Sequence, residues 1–185
     1  MFRKEATKLS KVFLIKPDIH YDYRGEYIET FHWHWFNSEF PDVDFKVDDI
    51  SVSRKNTIRG LHGDGETWKL IQCLEGEILQ TVVDLDTTSR TYLQWEQFYI
   101  NEKNRHQILI PPLHANGHLC LSDRCIFSYK QTSYYEDQKQ FQYHYLSLGI
   151  PWPVKTPILS ERDKTAISID SYLKNLRELI KEKLS

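Results

Sequence analysis

Four short runs concentrate the residues that could do chemistry: Asp22-Tyr23-Arg24-Gly25, Ile58-Arg59-Gly60-Leu61-His62-Gly63-Asp64, Trp68-Lys69-Leu70 and Tyr129-Lys130-Gln131-Thr132-Ser133-Tyr134-Tyr135. Between them they offer imidazole, guanidinium, ammonium and phenol groups, which exchange protons or hold anions. Arg59 and His62 are separated by an odd number of positions, so on one regular strand their side chains face opposite ways. Gly60 and Gly63 allow a bend that brings both into one cavity. A metal centre built on strands needs two histidines one residue apart, a carboxylate and a later histidine. His62-Gly63-Asp64 has an aspartate where the second histidine would stand, and His32-Trp33-His34 has no carboxylate before Glu39. His106, His114 and His118, near a proline loop, serve equally well as surface or pocket groups. No metal is expected.

The elements that must position these runs are mostly strands. Aromatic and β-branched segments alternate with turn residues over Lys11–Ile15, Gly25–Phe31, Phe45–Ser53, Tyr92–Ile100, Gln107–Ile110, Gly117–Leu121, Cys125–Gln131 and Gln142–Tyr145. Leu70–Leu74 and Glu77–Leu85, joined at Glu75-Gly76, predict a hairpin. Such spacing suggests a double-sheet jelly roll or barrel, an all-β fold. Only the C-terminus has helical periodicity: Tyr172, Leu173, Leu176, Leu179, Ile180 and Leu184 predict an amphipathic helix over about 170–184, capped by Asp170 or Ser171 and docked on the sheet or on a neighbouring subunit. The loops Ile110-Pro111-Pro112-Leu113 and Ile150-Pro151-Trp152-Pro153 separate no domains, and one domain over 1–185 is expected.

Composition narrows the partners. With five Trp, eleven Tyr and nine Phe the chain can bury a core, and 24 basic against 26 acidic residues leave no footprint for nucleic acid or an anionic membrane. Three cysteines without CxxC spacing fit a reducing compartment, and the N-terminus has only the short apolar run Val12–Ile15, so a cytoplasmic location is expected.

At these residues the sequence resembles the sugar-nucleotide 3,5-epimerases, the family of dTDP-4-dehydrorhamnose 3,5-epimerase. The resemblance covers roughly 150 residues, Leu9 to Asp163, and its pieces follow the family's order: Asp22-Tyr23-Arg24-Gly25 with Glu29, Ser51-Val52-Ser53, Ile58–His62, Lys69-Leu70, Val83-Asp84-Leu85 with Ser89, Ile110-Pro111-Pro112, Tyr129-Lys130 with Thr132, Tyr134 and Tyr135, Trp152-Pro153, and Leu159-Ser160 with Asp163. It implies a cupin-like double-stranded β-helix and a cofactor-free inversion at C3, C5 or both of a nucleoside diphospho-4-keto-6-deoxy sugar, in cell-surface polysaccharide precursor synthesis. Hydrogens beside a ketone become removable when the enolate oxygen is stabilised, so a base, an oxyanion partner and an acid on the opposite face are required. The resemblance assigns these to His62, Lys69 and Tyr129, with Asp163 orienting His62. It gives Arg24 and Arg59 the diphosphate, Arg24 by reaching the site of the other subunit of a homodimer, and makes Tyr135 and Trp152 stacking faces.

The sequence also departs from the family. Ala115-Asn116-Gly117-His118 stands where an alanine-histidine-glycine-phenylalanine run is usual, so Asn116 and His118, expected with Glu29 among the substrate-binding residues, reshape the pocket. Val47 and Asp49 stand where thymidine-type members carry Gln and Asn, and a carboxylate pairs with the N–H edge of guanine. This pattern suggests a GDP-linked sugar such as a GDP-4-keto-heptose of a capsule pathway. The competing readings are a sugar-nucleotide 3,4-ketoisomerase and a non-catalytic carbohydrate- or metal-binding jelly roll.

Overall fold

In the computed structural model, which describes residues 1–136 and 139–184, the chain forms two facing antiparallel sheets. The first sheet is ordered β1 (Phe2–Ala6), β2 (Phe13–Pro17), β10 (Gln107–Ile110), β7 (Lys69–Glu75), β12 (Arg124–Gln131), β5 (Val47–Arg54). The second is ordered β13 (Phe141–Gln142), β6 (Ile58–Gly63), β11 (His114–Cys120), β8 (Glu77–Asp84), β9 (Trp95–Asn101). β3 (Ile19–Asp22) and β4 (Gly25–Ile28) form a separate hairpin.

The two-residue period of a strand sorts side chains between layers. On β7 and β10, the opposed Ile71 and Ile108 point inward to a core shared with Ile78, Val82 and Ile100 of the second sheet, while the opposed Leu70 and Leu109 point outward. The outer face is sealed by Phe36 and Phe40 of the short helix α1 (Trp33–Glu39) and its C-cap. Each large aliphatic group so buried contributes roughly 1.5–3 kcal/mol. Outside the second sheet, Leu61, Val83 and Ala115 pack with Ile150 and Ile169 from the C-terminal region. Two covered sheets with strands switching between them make a jelly roll.

That switching corrects one expectation. The tight turn at Gly76, with φ +77°, is present, but β7 and β8 do not pair as a hairpin. β7 lies between β10 and β12 and β8 between β11 and β9, so neither has a free edge for the other, and Gly76 turns the chain from one sheet into the other. A Cβ there would stand 2.2 Å from the carbonyl oxygen of Arg124. Other boundaries shift. β4 stops at Ile28, and Phe31 stacks on Phe36 at 4.9 Å instead of continuing the strand. β11 begins at His114, β13 ends at Gln142, and β1, β3, α1 and the four-residue helix α2 (Glu161–Lys164) were not expected.

The C-terminal helix α3 spans Ile169–Leu184. Its cap is Ser168 rather than Asp170 or Ser171: the Ser168 hydroxyl accepts from the Ser171 N–H at 3.1 Å and its carbonyl accepts from Tyr172. Ile169 and Leu173 dock on the second sheet, but Tyr172, Leu176, Leu179 and Ile180 remain 40–49% exposed. Only the first turns of the apolar stripe lie against the sheet.

Candidate active site

The site begins with an irregularity in β6. Asn116 of β11 faces His62 and His118 faces Arg59, so two steps along β11 span three along β6: Gly60 and Leu61 together oppose Gly117. This bulge re-phases the strand, and the odd separation of Arg59 and His62 no longer puts them on opposite faces. Both line one cavity of about 640 Å³ between the sheets. The bulge depends on glycine. At Gly60 (φ +130°) a Cβ would lie 2.5 Å from the Gly117 Cα, and at Gly117 one would lie 2.7 Å from the Arg59 carbonyl oxygen.

His62 is held by a carboxylate. Its Nε2 lies 2.6 Å from Oδ1 of Asp163, whose side chain is 4% exposed. Asp163 sits in α2, where the Ser160 hydroxyl caps the turn by accepting the Asp163 N–H at 3.1 Å. Burial alone would raise the Asp163 carboxyl. The His62 hydrogen bond and charge, with contacts from Ser160 and the Gly60 N–H, outweigh it and hold Asp163 below the ordinary aspartate value. An ionised carboxylate only accepts, so His62 Nε2 carries the proton and Nδ1 is left as the basic nitrogen. Asn116 braces the same strand by donating to the His62 carbonyl at 3.0 Å, and receives a bond from Gln80 at 3.4 Å.

The opposite wall comes from the first sheet. Tyr129 of β12 faces Ile71 of β7 and Asp49 of β5, and Gln131 faces Lys69, so these side chains share the inner face and line the cavity. Burial, then the Asp49 carboxylate, raises the Tyr129 phenol above its usual value. Burial lowers the Lys69 ammonium, with the charge of Asp64 opposing. Neither side chain makes a hydrogen bond among the described residues. Asp49 is held by the Gln131 amide at 3.1 Å. Asp64 anchors the loop before Lys69, accepting the Glu66 and Thr67 N–H groups at 2.8 and 2.6 Å.

The cavity therefore collects His62, Asp163, Lys69, Tyr129, Asp49, Arg59, Asn116, His118 and Tyr135. It does not collect Trp152, which corrects that expectation: its indole N–H donates to the Tyr145 carbonyl at 2.8 Å and its ring packs among Leu159, Val154 and Ile150. Arg24 and Glu29 also lie outside the cavity of their own chain. Arg24 is on the β3–β4 hairpin, paired to Asp22 at 2.6 Å with 76% of its side chain exposed. The hairpin projects Tyr21, Tyr23 and Tyr27 and is tied to the body by Arg105, which bonds Glu26 and the Leu74 carbonyl.

Sequence reasoning missed Arg162, Gln131, Gln140 and Phe127 on the cavity wall. Arg162 donates to Gln142 and, at 3.0 Å, to the Tyr135 hydroxyl. Its signal was adjacency: it follows Ser160 by two and precedes Asp163 by one in a single turn. The HxH pair is used locally, His32 accepting the Trp35 N–H as the cap of α1.

Two facing sheets of a jelly roll thus bring a carboxylate-held imidazole and a phenol to one cavity, groups whose chemistry suits proton transfer. The chain belongs to the dTDP-4-dehydrorhamnose 3,5-epimerase family, whose model matches residues 6–171. It is 35% identical over 170 residues to the dTDP-4-dehydrorhamnose 3,5-epimerase of Methanothermobacter thermautotrophicus, covering 88% of this chain and 92% of that one. A crystal structure of the Legionella pneumophila 3,5-epimerase in complex with dTDP-4-keto-L-rhamnose superposes with TM-score 0.87 at 31% identity, covering 92% of this chain and 94% of that one. A Streptomyces bikiniensis 3'-monoepimerase in complex with dTDP-quinovose gives 0.86 at 26%, covering 91% and 88%.

Proposed function

We propose that this chain is an isomerase that inverts C3, C5 or both of a nucleoside diphospho-4-keto-6-deoxy sugar, with His62 as base, Lys69 as oxyanion partner and Tyr129 as acid. The observation that carries this reading is that His62 and Tyr129 enter one cavity from opposite sheets. A sugar ring between them presents one face to each.

The C–H bond beside the ketone breaks, its proton goes to Nδ1 of His62, and the electron pair moves onto the ketone oxygen. Asp163 stabilises the imidazolium that forms. Lys69 places a poorly solvated positive charge at the developing enolate, where low dielectric strengthens it. Tyr129, kept protonated by its raised phenol, returns a proton to carbon from the other face. Inversion follows from geometry alone. No cofactor enters any step, and the ketone of the substrate supplies the acidity.

Arg59, whose Nε donates to Ser53 at 2.9 Å, and Arg162 are the guanidinium groups within the chain's own cavity that suit a diphosphate. The exposed Arg24 hairpin fits the reading that a second copy lends it to complete the site. Sedimentation of the wild type, with a dimer expected, tests this; a monomer with full activity contradicts it.

The names of the relatives favour a dTDP-linked hexose, and none of those reported above is named for GDP or heptose. Asp49, half-buried on the cavity wall, favours guanine as a second reading. Proton NMR in deuterated water with dTDP- and GDP-linked 4-keto sugars tests both and separates inversion at one carbon from inversion at both by the number of labelled carbons. The reading fails if neither sugar takes up deuterium. A single reducing compartment suits the free, buried Cys73, Cys120 and Cys125 and the nucleotide-sugar substrate, so we read the protein as one cytoplasmic domain; among the described residues no helix is long and apolar enough to cross a membrane.

A further inference from the structure

His118 is the one histidine of the cavity wall that this mechanism leaves unused. It is 3% exposed, its ring stacks on Phe127 at 4.2 Å, and its Nε2 has no hydrogen-bond partner among the described residues. Opposite it on β8 stands Gln80, fully buried, whose Oε1 is also unpartnered. An orphaned buried polar atom costs about 1–3 kcal/mol, so the ring holds hydrogen-bonding capacity that the chain by itself leaves unused.

The register says where a partner for it would lie. His118 pairs with Arg59 across β6–β11, two residues along β11 from the Asn116–His62 pair, and Phe127 is two residues before Tyr129 on β12. His62 and Tyr129 frame the reacting carbons. Arg59, His118 and Phe127 thus form the next layer of the cavity wall, with Arg59 as its cationic group. On the reading of the site given above, we propose that His118 is a further substrate-binding residue, its ring hydrogen-bonding an oxygen of the sugar diphosphate beside Arg59.

The groups packed on the ring fix its protonation. Burial first, then the charges of Arg59 and His62, lowers His118 to about 3, and Gln80 and Phe127 bring no charge. It stays a neutral donor–acceptor through the physiological range, so its contribution does not vary with pH there.

The test compares full-length wild type with His118→Phe, which keeps the stack on Phe127 and removes both nitrogens, and with His118→Gln, which restores hydrogen-bonding capacity. Calorimetry with dTDP, GDP, dTDP-glucose and GDP-mannose is expected to show about a tenfold loss of affinity in His118→Phe for whichever base the wild type binds, partly regained in His118→Gln. The loss should be constant from pH 6 to pH 8. A loss with the nucleoside diphosphate alone places the contact on phosphate; a loss only with the sugar nucleotides places it on a sugar hydroxyl. Unchanged affinity in a folded His118→Phe overturns the proposal while leaving the epimerase reading intact. A wild type that binds none of the probes and exchanges no deuterium overturns both. If His118→Phe does not fold, nitrogen NMR of the wild-type ring replaces it: a shift on adding ligand without protonation supports the contact, and an unmoved resonance refutes it.

Discussion

The two walls of the cavity are built on different plans. On the β6–β11 wall the proposed base is already assembled: His62 is bonded to Asp163, Asp163 is held by Ser160, and Asn116 braces the backbone. On the β7–β12 wall, Lys69 and Tyr129 are half-buried and without hydrogen bonds among the described residues, and burial disfavours the charged form of each. The difference fits the roles proposed for each group. A base needs a fixed tautomer before substrate arrives, whereas an oxyanion partner and an acid gain most when their first strong partner is the reacting molecule.

Removing the assembled base should have the largest effect. His62→Ala is expected to lower deuterium uptake into the 4-keto sugar by about 10⁴-fold, read by proton NMR under conditions where the variant is folded. Comparable exchange in this variant would mean that the pre-paired wall is not where the proton goes. Lys69→Met, which keeps the stem and removes the charge, should lower kcat by about 10²–10³-fold with little change in nucleotide affinity; a change confined to KM would make Lys69 a binding group and remove the contrast between the walls.

Asp163→Asn sharpens the comparison through stability. Because the folded carboxyl lies below the ordinary aspartate value, its ionised form stabilises the fold at neutral pH, and that contribution disappears as pH falls through the depressed folded value. The variant should be about 1–3 kcal/mol less stable at pH 7, with the gap narrowing on acidification, as urea melts at several pH values would show. Equal stability at pH 7 would mean that the pair is not pre-assembled.

Much of this could be seen in the residue pattern, for identifiable reasons. The facing sheets follow from short aromatic and β-branched runs, and the clusters around Arg59-His62, Lys69 and Tyr129 carried their chemistry in their side chains, while Asp163 was reached only through the family resemblance. What failed was connectivity and direction. Gly76 announced a turn correctly, but a local signal says nothing of which sheet the next strand joins. Trp152 has the shape of a stacking face, yet its indole N–H found a carbonyl and its ring a core, a choice set by tertiary packing. Gly60 flagged a bend, and the way in which that bend re-phases the strand emerges only from its pairing with Gly117.

The central claim is that proton removal and proton return occur on opposite walls, and Tyr129→Phe tests it most directly. In deuterated water this variant should still exchange hydrogen for deuterium beside the ketone, because His62 and Asp163 are untouched, while the original configuration is kept and inversion falls by about 10²–10⁴-fold. Inverted product formed at the wild-type rate would contradict the account, since the return proton would then come from somewhere other than Tyr129.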